Sequence, residues 1–250
     1  MWAAGMILTF LGTKGGTGTT TMAVNCAADI RRISARPTLI ADVKQAGDVS
    51  VFLGLRPRYA LGDLLDQVGW SDRELVTRFI TEHECGLHVV AASEGFGCPN
   101  ARDAEGVEET LRCLSEMYDY LVVDAGSTLT ESAVAALALS DLVMLVANPD
   151  VLCLRNLQRL TDTIRLDGVG PERLRIVLNR TSDNGVMPVS QIEDALSRTI
   201  DFRVPSDYRT VAAAVNTGVP VSALRVTDLH LQVDSMARTL IGSNLTAVAS

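Results

Sequence analysis

The sequence predicts an α/β fold: a single domain with a mostly parallel, twisted sheet and helices on both faces. Three observations carry that expectation. Short apolar runs alternate with longer amphipathic segments along the whole chain, as repeated βα units require. Most of the runs are near-continuous Val, Ile and Leu, the pattern of strands buried on both faces. The composition agrees: 250 residues, 47% hydrophobic and only 4% aromatic, suit one large sheet covered by Ala- and Leu-rich helices.

The first strand is read over 6–11, and it runs into Leu11-Gly12-Thr13-Lys14-Gly15-Gly16-Thr17-Gly18-Thr19-Thr20-Thr21. A helix over 20–32 follows. Strand, glycine-rich turn and helix aim several backbone N–H groups at one point on the positive end of a helix, which suits a polyphosphate. Glycines permit the strained backbone and let phosphate oxygens approach closely. Thr20 stands where a P-loop needs the hydroxyl that reaches Mg²⁺, but Thr19 stands where the usual lysine would be. The competing reading is a plain βα turn without a ligand.

Further strands are read over 38–41, 87–92, 120–123, 142–146, 175–178 and 200–204. Helices are read over 61–68, 71–79, 104–117, 131–139, 152–166, 190–196, 207–216 and 229–240. Ser71-Asp72-Arg73-Glu74 has capping-box spacing and marks a helix start. The one irregular stretch, 93–103, carries Gly95, Gly97, Pro99 and Asn100. It lies at the carboxyl end of a strand, where open α/β sheets bind ligands. No repeat, low-complexity tract or long linker divides the chain, so one domain over 1–250 is expected.

Two acids end strands beside the glycine-rich loop. Asp42 follows the second strand, and Asp124 closes Leu121-Val122-Val123-Asp124, the fourth. Acids so placed can hold Mg²⁺ directly or through water, which makes Thr20, Asp42 and Asp124 the expected metal set. The alternative for Asp124 is an N-cap of the next helix.

Net charge is −8, which argues against gripping DNA or an anionic membrane through a basic face. The arginines between 155 and 225 are interleaved with acids and read as solvated helix faces. The last stretch, 229–250, has only Arg238 as a base, so direct membrane insertion is not expected. No apolar stretch reaches spanning length, and the opening 1–12 lacks a basic region and a cleavage site. The cysteines Cys26, Cys85, Cys98, Cys113 and Cys153 form no CxxC; free thiols and a cytoplasmic location are expected. His83, His88 and His230 make no metal-ligand spacing with them. Among 22 basic residues the only lysines are Lys14 and Lys44, both in the predicted nucleotide site.

Lys14-Gly15-Gly16-Thr17-Gly18-Thr19-Thr20-Thr21 resembles the deviant Walker A motif of the MinD/ParA superfamily. That resemblance implies ATP with Mg²⁺ as ligands, and a homodimer in which Lys14 reaches across to the partner's nucleotide. Three further blocks are similar to the CpaE/TadZ branch: Asp42-Val43-Lys44-Gln45-Ala46-Gly47-Asp48-Val49, Phe52-Leu53-Gly54-Leu55-Arg56-Pro57-Arg58-Tyr59 and Leu61-Gly62-Asp63-Leu64-Leu65. Members of that branch assemble and place Flp/Tad-type pili, and relatives are described as septum-site-determining proteins. Leu178-Asn179-Arg180 matches the strand end that supplies an adenine-reading Asn. Val204-Pro205-Ser206-Asp207-Tyr208-Arg209 matches the late base-contacting loop. The resemblance therefore assigns Lys14, Asp42 and Asp124 to catalysis. It assigns nucleotide contacts to the loop from Lys14 to Thr21, to Lys44, and to Asn179, Arg180, Pro205 and Asp207. Members often carry a further receiver-like domain at the N-terminus, which 1–250 does not contain.

The departures bear on mechanism. Lys44 stands where hydrolysing relatives have an Asp that orients the attacking water, and Thr19 replaces the phosphate-binding lysine. Either Lys44 restores the missing positive charge from a displaced position, or it is a solvated loop lysine. Loss of the water-orienting acid predicts slow or absent turnover. Gly97-Cys98-Pro99 is similar to the cluster loop of nitrogenase-type iron proteins, but 125–139 supplies no second cysteine. Three functions stay open: a nucleotide-switched dimer that positions pilus or division machinery, a pseudo-ATPase scaffold, and a small-molecule ligase. ATP binding with feeble hydrolysis is the expectation.

Overall fold

The apolar runs become strands of one sheet in the computed structural model, which describes residues 4–67, 70–92, 101–182, 185 and 187–248. The strands are β1 (Met6–Gly12), β2 (Thr38–Asp42), β3 (Ile80–Glu82), β4 (His88–Val90), β5 (Tyr120–Asp124), β6 (Leu142–Ala147), β7 (Leu174–Thr181) and β8 (Phe202–Pro205). Their order is β3-β4-β2-β5-β1-β6-β7-β8, parallel throughout except where β3 pairs with β4.

Every residue of β1, β2, β5 and β6 is buried, which is why these strands show no polar alternation. Successive side chains point to opposite faces and feed two separate cores. Ile7 and Leu11 enter one, Leu8 and Phe10 the other. The helices are α1 (Thr19–Ser34), α2 (Val49–Phe52), α3 (Leu61–Leu65), α4 (Arg73–Thr77), α5 (Ala101–Ser115), α6 (Glu131–Leu139), α7 (Val151–Leu166), α8 (Val189–Leu196), α9 (Tyr208–Thr217) and α10 (Asp228–Val248). The core beside Leu8 is completed from α1, α2, α9 and α10, through Met22, Val49, Ala214 and Met236. The core beside Ile7 is completed from α3 to α8, through Leu64, Val76, Leu111, Ala136, Leu157 and Ile192.

This topology places the site. Strand β1 lies between β5 and β6, and β2 lies beyond β5. The chain therefore leaves β1 in one direction and returns past it in the other, and a crevice opens at the carboxyl end of β1. The glycine-rich loop fills that end, Asp42 and Asp124 are paired residues on adjacent strands, and both end their strands there.

The predicted elements form with shifted ends, and two extra ones appear. Strand β3 has three residues at the sheet edge, two half-buried and one exposed, too few to leave an apolar signature. Helix α2 has four residues, fixed by the loop before it. The helix read over 61–68 ends at Leu65, and α10 runs to Val248 instead of stopping at 240. Helix α4 starts within the Ser71–Glu74 signal, but its cap is Asp72, whose carboxylate accepts the N–H groups of Glu74 and Leu75. Of the irregular stretch 93–103, residues 101–103 are helical; 93–100, Cys98 among them, lie outside the described residues. Among the described residues no helix is long and apolar enough to cross a membrane.

Candidate functional site

The loop leaves the sheet pinned on both sides. Gly12 N–H donates to the Gly126 carbonyl at 2.7 Å, and Thr13 N–H donates to the Val146 carbonyl at 3.0 Å. Gly16 and Gly18 then adopt left-handed backbone, with φ of 79° and 91°. Gly18 is the N-cap of α1 and has no side chain to satisfy the first-turn N–H groups. Those donors border the cleft, at the positive end of the helix, and suit an anion.

Thr19 does not imitate the lysine it replaces. It is buried, its hydroxyl is 3.2 Å from that of Thr17, and Thr17 donates to the Lys14 carbonyl at 3.1 Å. A Cβ on Gly12 would lie within 2.6 Å of both hydroxyls, so the two threonines fill the floor of the loop. The cradle keeps its shape through this packing and offers backbone donors in place of an ammonium.

The opposite wall is a set of engaged side chains. Asp124 is fully buried: one oxygen accepts Gly126 N–H at 3.1 Å, and the other accepts the Thr20 hydroxyl at 2.6 Å. Lys44 Nζ donates to Thr20 Oγ1 at 2.7 Å and lies 2.8 Å from Asp124 Oδ2 and 3.8 Å from Asp42 Oδ2. Asp42, also fully buried, turns both oxygens to the loop after it, accepting Lys44 N–H at 3.3 Å and Val49 N–H at 3.2 Å. A Cβ on Gly47 would come within 2.4 Å of that whole carboxylate. Burial first, and the Asp124 carboxylate second, hold the Asp42 carboxyl well above the ordinary range, against the pull of Lys44 and the two N–H groups. Burial works against the Lys44 ammonium too, but Asp42 and then Asp124 outweigh it and raise its pKa.

These residues bear on Mg²⁺ directly. The ion needs oxygen ligands at about 2.0–2.1 Å in near-octahedral array. Here the Thr20 hydroxyl and the Asp124 carboxylate already share an ammonium, and Asp42 is spent on backbone N–H groups. The set Thr20, Asp42 and Asp124 is brought together as the sequence anticipates, yet in this arrangement it does not fit a divalent ion.

A cleft of about 580 Å³ lies between the two walls, lined by Lys14, Gly16, the residues from Gly18 to Thr21, Lys44 and the turn from Ala125 to Thr128. A second cavity of about 340 Å³ adjoins it through Gly18 and Thr21 and is lined by Asn179, Arg180, Pro205, Asp207 and Tyr208. The late residues thus gather around one cavity beside the cleft. Asn179 donates to the Thr17 carbonyl at 2.7 Å and accepts Arg180 N–H at 2.9 Å, so it also braces the loop. Asp207 caps α9 through Thr210 N–H at 3.0 Å, and the Thr210 hydrogen bonds hold its carboxyl below the ordinary range.

Lys14 reaches the rim. Its ammonium lies 3.4 Å from Asp150 Oδ2, and both side chains are about two-fifths exposed. Asp150 uses its other oxygen to cap α7 through Cys153 N–H at 2.9 Å. Sequence reasoning did not single out Asp150, Gly126 or Tyr208 as site residues. The turn Asn148-Pro149-Asp150 before a helix, and a glycine two residues after Asp124, were the available signals.

Residues 5–167 match the AAA_31 family, described as an AAA domain. The chain is 24% identical to an uncharacterised ATP-binding protein of Methanocaldococcus jannaschii, over 84% of this chain and 78% of that protein. It is 21% identical to the septum site-determining protein MinD of Thermotoga maritima, over 96% and 90%. Among solved structures, a ParA family ATPase of Chlorobium tepidum superposes with a TM-score of 0.84 at 22% identity, covering 94% of this chain and 98% of the other. MinD of Pyrococcus horikoshii, solved with Mg-ADP, gives 0.79 at 17% identity over 94% and 95%. The MinC:MinD complex of Aquifex aeolicus gives 0.78 at 21% over 95% and 96%. At these identities the superpositions establish the fold.

Proposed function

The chain belongs to the AAA_31 family and to the MinD/ParA superfamily of P-loop proteins, and from that premise we propose that it is an ATP-binding dimer of low turnover. In this reading it positions other proteins, as a CpaE/TadZ-like factor of a pilus or septum-site apparatus. The observation that carries it is the uncapped first turn of α1, opening on two joined cavities sized for phosphates and a base. MinD from Aquifex was solved with a protein partner, MinC, which supports a role exerted through proteins.

Dimerisation through Lys14 costs little. The Lys14–Asp150 pair is exposed, and such pairs contribute little to stability. The ammonium can leave without disturbing the α7 cap, which uses the other Asp150 oxygen. Hydrolysis, in contrast, lacks both the loop lysine and a water-orienting acid, since Thr19 and Lys44 occupy those places.

Sedimentation of the protein with ATP, ADP and no ligand tests the switch, with phosphate release followed on the same samples. A dimer favoured by ATP, with little phosphate released, is the expected result. An unchanging dimer would favour the second reading, a pseudo-ATPase scaffold without a nucleotide cycle. Turnover as fast as an ordinary ATPase would contradict the proposal.

A further inference from the structure

We propose that Lys44 is the resident cation of this site, standing in for Mg²⁺ between Thr20 and Asp124, so that nucleoside triphosphate is bound without a divalent metal. The inference rests on the nucleotide reading and goes beyond it by assigning the source of positive charge.

The ammonium touches the two groups from which a P-loop metal would take its protein contacts, at 2.7 Å from Thr20 Oγ1 and 2.8 Å from Asp124 Oδ2. An ion reaching both oxygens would have to share the space that Nζ fills. The position is built rather than accidental. Gly126 has a left-handed φ of 71°, and a Cβ there would lie within 2.9 Å of Lys44 Cγ and Cδ, so the aliphatic stem lies in a hollow that only glycine leaves open. The Lys44 backbone is tied as well, through its N–H to Asp42 Oδ1 at 3.3 Å.

Charge and chemistry agree. The ammonium has three donors; one is donated to Thr20, Asp124 Oδ2 lies within ion-pair distance, and Lys44 also lines the phosphate cleft. Asp42 Oδ2 is the next nearest acid, at 3.8 Å and beyond hydrogen-bond distance, so a phosphate oxygen entering the cleft would compete for the third donor. The Lys44 side chain is 17% exposed, enough to meet a ligand and too little to be a free surface charge. A compact point charge suits a metal's place, where a planar guanidinium would not. In a chain whose other basic residues, Lys14 apart, are all arginines, that choice is pointed. A monovalent ammonium neutralises less charge than Mg²⁺ and clamps fewer phosphate oxygens, consistent with slow turnover.

The test is calorimetric titration of the full chain with ATP, in EDTA and in excess Mg²⁺. Affinities that agree within about threefold are expected, because the charge is already present. In Lys44→Met, which keeps a stem over Gly126 but removes the charge, affinity in EDTA should fall roughly tenfold to hundredfold. Mg²⁺ should restore most of it, Thr20 and Asp124 having been released. Wild-type binding that weakens at least about tenfold in EDTA would overturn the inference while leaving nucleotide binding intact. So would a Lys44→Met protein whose affinity ignores both the charge and the metal. No uptake of ATP in either buffer would remove the nucleotide reading itself. If Lys44→Met does not fold, the wild-type comparison alone decides.

Discussion

The uncapped first turn of α1 borders the cleft with its backbone N–H groups, while Thr17 and Thr19 meet each other beneath it and Thr17 donates to the Lys14 carbonyl. Across the cleft, Asp42, Lys44 and Asp124 work through side chains, and each is held by the others or by a nearby turn. The first wall makes its anion site from chain geometry, so replacing one side chain by another leaves the donors in place. The second depends on a buried charge set that fails when a member is removed. This contrast explains how a P-loop can lose its lysine and keep its shape, while the opposite wall has gained one.

The contrast breaks most visibly at Asp124. Asp124→Ala strips Lys44 and Thr20 of their shared partner, and urea unfolding should show a loss of about 3 kcal/mol. A loss below about 1 kcal/mol would mean that the charges are not coupled. Gly47→Ala comes next: its methyl group meets the buried Asp42 carboxylate, and a loss of about 2 kcal/mol is expected in the same assay. Thr19→Ala sharpens the other side. It should cost about 1 kcal/mol of stability for the lost floor contact, while ATP affinity stays within roughly threefold. The smallest effect on folding is expected from Lys14→Ala, a urea midpoint close to wild type, since its ion pair is exposed. Sedimentation of that variant should nevertheless show that ATP no longer favours the dimer.

The same two walls differ in how far the sequence disclosed them. The run Met6 to Leu11, the glycines and the following helix are signals contiguous in the chain, and the fold they predict is the fold observed. Strand β3 escaped because three edge residues, none of them fully buried, carry no periodicity. The positions of Asp42 and Asp124 at strand ends, and of Lys44 in the loop just after Asp42, were legible, but their mutual contacts were not. Those depend on the Asp42–Asp124 register between strands β2 and β5, distant in sequence, and on the left-handed turn at Gly126. Gly47 held a local clue to the orientation of Asp42, visible only once the Val49 N–H is known to point back. Asn179 and Asp207 line one cavity, and their bracing and capping hydrogen bonds belong to packing that the sequence did not disclose.

The most direct check on the account is a pair of calorimetric titrations of the folded wild-type protein, one with ATP and one with adenosine. If the uncapped turn of α1 captures phosphates, ATP should saturate one site per chain, and adenosine should bind at least about tenfold more weakly. Equal binding of the two, or uptake of neither at millimolar ligand, would contradict it.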